Sequence, residues 1–180
     1  MATLTIKLPH QQKQIASNLR RWDELLDDRE ICRIEGRIET DRYGNTIMSL
    51  PPSPSHGSLQ AEIGYLLKTL VRTGRVLTEC PISTADGVKA ADIAWASPGC
   101  MRQLGNRNCF SRSPEICVEV LSARNTEAET RERIRLYLDA GAHEVWVCDK
   151  AGKMSFFGAG TIRLRKSKLC PDFPKRILLS

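Results

Sequence analysis

Two carboxylates set in apolar runs are the residues of this chain best placed to do chemistry. Asp92 lies in Ala90-Ala-Asp-Ile-Ala-Trp-Ala96 and Glu119 in Glu115-Ile-Cys-Val-Glu-Val-Leu-Ser122. Side chains alternate along a strand, so Asp92 shares a face with Ala90, Ala94 and Ala96, small neighbours that leave space, while Ile93 and Trp95 point the other way. The same rule puts Glu119 with Cys117 and Leu121, opposite Ile116, Val118 and Val120. Burying a lone carboxylate is costly unless it is paired, hydrogen-bonded or bound to a metal. Two of them close together repel unless a cation joins them. Hard oxygen donors of this kind suit Mg²⁺ or Mn²⁺. Each carboxylate alone is better explained by a salt bridge to one of the many arginines. Their joint occurrence on neighbouring central strands is what points to a shared ion.

The elements that must position them can be read from the apolar spacing. Ile15, Leu19, Trp22, Leu25 and Leu26 predict an amphipathic N-terminal helix over Pro9 to Asp28, packed as a cover on the core. Ile31 to Thr40 and Thr46 to Leu50 predict an antiparallel hairpin, whose loop takes its positive φ from Gly44-Asn45. A second helix opens at His56-Gly57 and carries the stripe Leu59, Ile63, Leu66, Leu67, Leu70 and Val71 as far as Gly74. Arg75 to Ile82, Ala90 to Ala96, Glu115 to Ser122 and Glu144 to Asp149 read as strands, the last three apolar enough to be central. A helix capped by Asn125 or Thr126 and stopped by Gly141 separates the last two, which predicts a right-handed parallel crossover between them. Lys153 to Phe157 and Thr161 to Arg165 read as a closing edge hairpin, and the tail around Pro171 as irregular.

With 180 residues, 41% hydrophobic and 27% charged, the chain has ordinary globular composition. The expected organisation is one compact α/β unit over residues 31–180, with residues 1–30 as a helical extension. The opening Met1-Ala-Thr-Leu-Thr-Ile-Lys-Leu-Pro has too short an apolar run for a signal peptide, and no later stretch is long enough to cross a bilayer. A cytoplasmic location follows as an expectation. The seven cysteines are scattered, without zinc-ligand spacing, and read as small buried hydrophobes in a reducing compartment. A net charge of +6 gives a weak vote for a polyanionic partner. Gly158-Ala-Gly160 is too sparse for a nucleotide loop.

Several segments together carry a family resemblance. They are Ser53-Pro-Ser-His56-Gly, Ala91-Asp92, Glu119-Val-Leu-Ser, Arg133-Ile-Arg-Leu-Tyr137 and Ala140-Gly-Ala-His-Glu-Val-Trp-Val-Cys-Asp149. Their order and spacing, from about Cys32 to Phe173, resemble the putative restriction endonuclease family of the PD-(D/E)xK nuclease superfamily. The resemblance implies a restriction-endonuclease-like three-layer core with a mixed sheet flanked by helices. It also implies phosphodiester hydrolysis, dependence on Mg²⁺ or Mn²⁺, and Asp92 and Glu119 as metal ligands. The expected partner is nucleic acid, DNA first, with no membrane and with a homodimer admitted.

The chain departs from the family pattern at two places. Ala91 stands where a proline is expected, and Leu121 where the pattern has its lysine. A lysine on the following helix resembles a migrated substitute, and that position is Arg133 here. Arginine can steady developing charge on a phosphate, but its very high pKa bars it from acting as a general base. A module that keeps the fold and binds nucleic acid or a protein without turnover is therefore the alternative reading.

Accessory candidates have plainer readings beside them. Glu129 matches an acidic position of the family, yet with Arg133 it could form an ordinary helix-surface ion pair. His56 could contact metal-bound water or phosphate, although a histidine at a helix start is more often a cap or dipole partner. Glu62 could face the site from the second helix or stay in solvent. Arg102, Arg107 and Arg112 punctuate the connection from Ser97 to Ser113, which reads as a solvated loop able to grip a phosphate backbone.

Overall fold

The computed structural model describes residues 9–122 and 125–179. The opening residues, on which the signal-peptide reading rests, lie outside them. Six strands form one mixed sheet: β3 (Arg75–Thr84), β4 (Gly87–Ala96), β5 (Ile116–Val120), β6 (Glu144–Cys148), β7 (Met154–Gly158) and β8 (Ile162–Leu164), side by side in that order. The β5 to β6 pair is parallel and the others are antiparallel, as the crossover through α4 (Glu127–Asp139) requires. A separate ribbon pairs β1 (Arg37–Thr40) with β2 (Thr46–Ser49). The remaining helices are α1 (Pro9–Asp27), α2 (Pro54–Leu70) and α3 (Pro98–Leu104).

The expected three layers are present. Leu59, Ile63 and Leu67 of α2 pack with Ile93, Ile116, Val118 and Val120 on one face of the sheet. Ile134 and Tyr137 of α4 pack with Ala94, Cys117, Val145 and Val147 in a second cluster, joined by Met101 and Leu104 of α3. Trp22 and Leu25 of α1 form a third, smaller cluster with Val88 and Cys109. The tail is irregular but far from idle. Phe173 lies on Trp146 with ring centroids 4.6 Å apart, and both side chains are buried. Among the described residues all seven cysteines are free thiols, five of them buried.

Local hydrogen bonding moved some boundaries. Residues Ile31–Arg33 form a 3-10 turn instead of the start of a strand, because the Asp28 carboxylate accepts the N–H groups of Glu30 and Ile31 at 2.8 and 3.2 Å and winds the chain there. The stretch expected as a solvated loop after Ser97 contains α3. Ser97 caps it by accepting the Cys100 N–H at 3.1 Å, with Pro98 in the first turn. The second helix starts at Pro54 under a Ser53 cap and ends at Leu70, not Gly74.

The ribbon is fastened to the first half of β4 by side chains rather than by a strand ladder. Thr40 Oγ1 accepts the Val88 N–H at 2.9 Å, Glu39 Oε1 accepts the Ala90 N–H at 2.9 Å, and Lys89 donates to the Thr40 carbonyl at 3.0 Å. Gly87 makes this docking feasible. Its φ is +85°, and a Cβ there would stand 2.3 Å from the Asp41 carbonyl oxygen and 2.4 Å from that of Thr40. Gly87→Ala should therefore destabilise the fold by about 2 kcal/mol or more. A urea unfolding curve indistinguishable from wild type would show that the ribbon does not press on this turn.

Candidate active site

Asp92 sits where β4 and β5 stop pairing. The register runs Trp95 to Ile116, Ala94 to Cys117 and Ile93 to Val118, and the ladder ends there, one step before Asp92 would meet Glu119. The Asp92 side chain takes over the hydrogen bonding: its Oδ2 accepts the Val120 N–H at 2.6 Å. On the other side, the β3 to β4 pairing skips the same level, and Glu79 opposite Asp92 has φ +48°. Strict alternation is interrupted there. Ala91 packs in the same cluster as Ala94 and Ala96 instead of facing away from them.

The space expected beside Asp92 is filled by cationic and polar groups. Its Oδ1 accepts hydrogen bonds from an Arg37 Nη and lies 3.3 Å from His56 Nε2. The Arg37 Nε donates to Glu79 at 2.8 Å, so one guanidinium spans two carboxylates. Gln60, one turn after His56 on α2, donates to the Asp92 carbonyl at 2.8 Å and to Glu79 at 3.1 Å. Burial alone would push Asp92 up, but the His56 contact, the Arg37 charge and the Val120 N–H together hold its carboxyl below the usual range. The His56 imidazole is raised in turn by its hydrogen bond with Asp92.

Glu119 is buried differently. Its Oε1 accepts the Tyr137 hydroxyl at 2.8 Å, and Arg133 Nη1 stands 3.9 Å away. The Arg133 fork is committed elsewhere, with bonds of 2.5 and 2.7 Å to the two oxygens of Glu39. Burial pushes Glu119 up to about 7; the Arg133 charge opposes this and the Asp92 charge adds to it. The Tyr137 phenol is likewise raised, by burial first and then by Glu119.

Among the described residues the cluster therefore gathers four carboxyl groups (Glu39, Glu79, Asp92 and Glu119) and two guanidiniums (Arg37 and Arg133) beside the His56 imidazole. Asp92, and Glu119 once its proton leaves, are hard oxygen donors with the chemistry to hold a divalent cation. Among the described residues no group of three or more His, Cys, Asp or Glu side chains forms a ligand set, so Asp92 and Glu119 would need backbone oxygens or water to complete it.

A family model, described as putative restriction endonuclease (Uma2), matches residues 22–167. The chain belongs to this family. A solved structure of a putative nuclease from Anabaena variabilis superposes with a TM-score of 0.63 at 19% identity, covering 79% of this chain and 81% of that one. No curated protein matches. The restriction-endonuclease-like α/β architecture is thus shared with a nuclease-like family.

Within this Uma2 family member, the other sequence candidates fall into place unevenly. His56 joins Asp92. Glu129 does not pair with Arg133: it closes a capping box, accepting from Thr126 N–H at 2.8 Å on the exposed start of α4, because a helix N-terminus has free N–H groups to satisfy. Glu62 forms no ion pair or hydrogen bond with the described residues, and Gln60 occupies the turn of α2 that reaches Asp92. Arg102, Arg107 and Arg112 are exposed and touch neither carboxylate. Arg107 donates to Ser111 at 3.1 Å, and Arg112 packs beside Gly141.

Sequence reasoning missed Arg37, Glu39, Gln60 and Glu79. A signal existed for the first two: in Arg37-Ile-Glu-Thr40 the charges are two apart on a strand, hence on one face. Nothing local marked their partners.

Removing Glu39 would leave the Ala90 N–H unpaired and take from Arg133 its two-pronged carboxylate partner, leaving it the Tyr137 hydroxyl, so Glu39→Ala should cost about 2–4 kcal/mol, against about 1 kcal/mol for the exposed cap variant Glu129→Ala. Urea unfolding of both variants decides it; equal costs would contradict the assignment of Arg133 to Glu39.

Glu119 supplies a pH test. Its carboxyl keeps its proton in the folded chain between about pH 4.5 and 7, where the unfolded chain has already released it. Its contribution is full below that window and is lost as pH rises through it. Without added metal, Glu119→Gln should be more stable than wild type at pH 8 by on the order of 1–3 kcal/mol, with the gap closing toward pH 5. A constant gap would mean that Glu119 is not the titrating group.

Proposed function

We propose that the protein is a divalent-metal-dependent endonuclease acting on nucleic acid, DNA first. The observation that carries the reading is the Asp92 and Glu119 pair at the opened β4 to β5 ladder, inside a buried cluster of carboxyl and guanidinium groups. Asp92 and Glu119 would hold Mg²⁺ or Mn²⁺, which when bound polarises a phosphate and lowers the pKa of a coordinated water. The chain's own groups set this up. Arg37, His56 and the Val120 N–H keep Asp92 ionised, and Tyr137 fixes the orientation of Glu119 by donating to one oxygen.

In this reading Arg133 stands at the position where the family pattern suggests a lysine. It lends positive charge to Glu119 and Glu39 and takes no proton. Arg102, Arg107 and Arg112 would grip phosphates outside the metal pair. The +6 charge favours such a partner. No described helix is long and apolar enough to cross a membrane, and a cytoplasmic location and a homodimer belong to the proposal.

A second reading has one specific observation behind it: both Nη groups of Arg133 bond Glu39, so among the described residues no uncommitted basic group stands next to Glu119. A binding module without turnover would look the same. A cleavage assay on supercoiled plasmid separates the two. With Mg²⁺ or Mn²⁺ the wild type should nick, and Asp92→Asn and Glu119→Gln should each lose about 100-fold or more. DNA retention by an inactive wild type would select the binding module.

A further inference from the structure

We propose that Arg37 is a built-in competitor for the metal site, a tethered cation that must leave Asp92 before a divalent ion can take it. The inference rests on the metal-ion reading above and concerns a residue that reading does not use as a ligand. Three observations carry it. First, the Arg37 guanidinium donates to Asp92 Oδ1, while Oδ2 is engaged by the Val120 N–H, so the protein itself saturates this carboxylate. Second, Arg37 is attracted by Glu119 and Glu79 as well as Asp92, and therefore lies in the field that would draw a divalent ion. Third, the side of the cluster that Arg37 occupies reaches solvent. The Arg37 side chain keeps 18% of its exposure, and its second partner, Glu79, keeps 46%.

These features define an exchange. The carboxylate of Asp92 cannot give its outward oxygen fully to a guanidinium and to a metal at once, since two cations on one oxygen repel. On ion entry Arg37 would give up Asp92 and keep its Nε bond to Glu79. That leaves a freed guanidinium edge at the exposed side of the cluster, where a phosphate oxygen is a fitting acceptor. A cation and a phosphate would then favour each other's binding, because each relieves the arrangement that opposes the other. Glu79, unusual in its left-handed backbone conformation, is what retains Arg37 once it moves.

The test is calorimetric titration of the full chain with Mn²⁺ alone, comparing wild type with Arg37→Gln, Arg37→Lys and Asp92→Asn. Arg37→Gln should bind Mn²⁺ about tenfold tighter or more, an increase that loss of a merely structural contact would not produce. Arg37→Lys should fall between, because one ammonium cannot span Asp92 and Glu79 as the fork does. Asp92→Asn should abolish binding. Wild type that binds while Arg37→Gln binds equally or more weakly overturns the inference and leaves the metal site standing. Absence of binding in wild type and in both Arg37 variants overturns the metal reading and this inference with it. If Arg37→Gln does not fold, Arg37→Lys decides: an affinity equal to wild type or weaker overturns the proposal.

Discussion

The hydrogen bond from the Val120 N–H to the Asp92 carboxylate is the contact on which the site depends. An antiparallel ladder that ran on past Ile93 and Val118 would satisfy its backbone groups by itself and hold the two strands at a fixed spacing. Here a side chain substitutes for the next backbone acceptor. The strands can therefore part at the level of Asp92 without orphaning a buried N–H, which would otherwise cost on the order of 1–3 kcal/mol. The parting lets groups from β1 and α2 reach a carboxylate in the middle of the sheet.

Electrostatics sets what can occupy that opening. Asp92 is only 1% exposed and Glu119 8%, and neither could remain in such surroundings without donors. They are served unequally. Asp92 has an arginine, an imidazole and an amide, whereas Glu119 has one phenol and a guanidinium held 3.9 Å off by its prior bond to Glu39. One carboxyl is pushed down and the other up, so the pair is poised with its two members in different states. That asymmetry is a common mark of functional clusters.

The surrounding layers keep these contacts in place. The short ribbon that brings Arg37 and Glu39 has little core of its own: both of its strands have four residues, and the second is largely exposed. Its position comes from the turn at Gly87 and from the bonds that Thr40 and Glu39 make to β4. The central strands are clamped from one side by α2 and the tail and from the other by α4, and this packing holds the levels of Asp92 and Glu119. Removing a buried polar partner in such a setting affects position and stability together.

What the sequence determined by itself was the set of elements and the two central carboxylates. Short apolar runs such as Ile116 to Val120 and Val145 to Cys148 read as buried strands, and the helix between them favours a parallel crossover. These are local or periodic properties, carried by residues close in the chain. The fold and the family resemblance followed from them and are matched by the structure and the family model. The partners of the carboxylates were decided only in three dimensions. Arg37 and Asp92 are 55 residues apart, and Glu39 and Arg133 are 94 apart. Which of 27 basic residues meets which acid depends on where the ribbon docks. Arg133 and Glu129 show the difference well: their i, i+4 spacing is visible in the sequence, but a free helix end claimed Glu129 and a distant strand claimed Arg133. Local spacing sets which contacts are within reach, and the competition among all partners brought together by folding sets which are made.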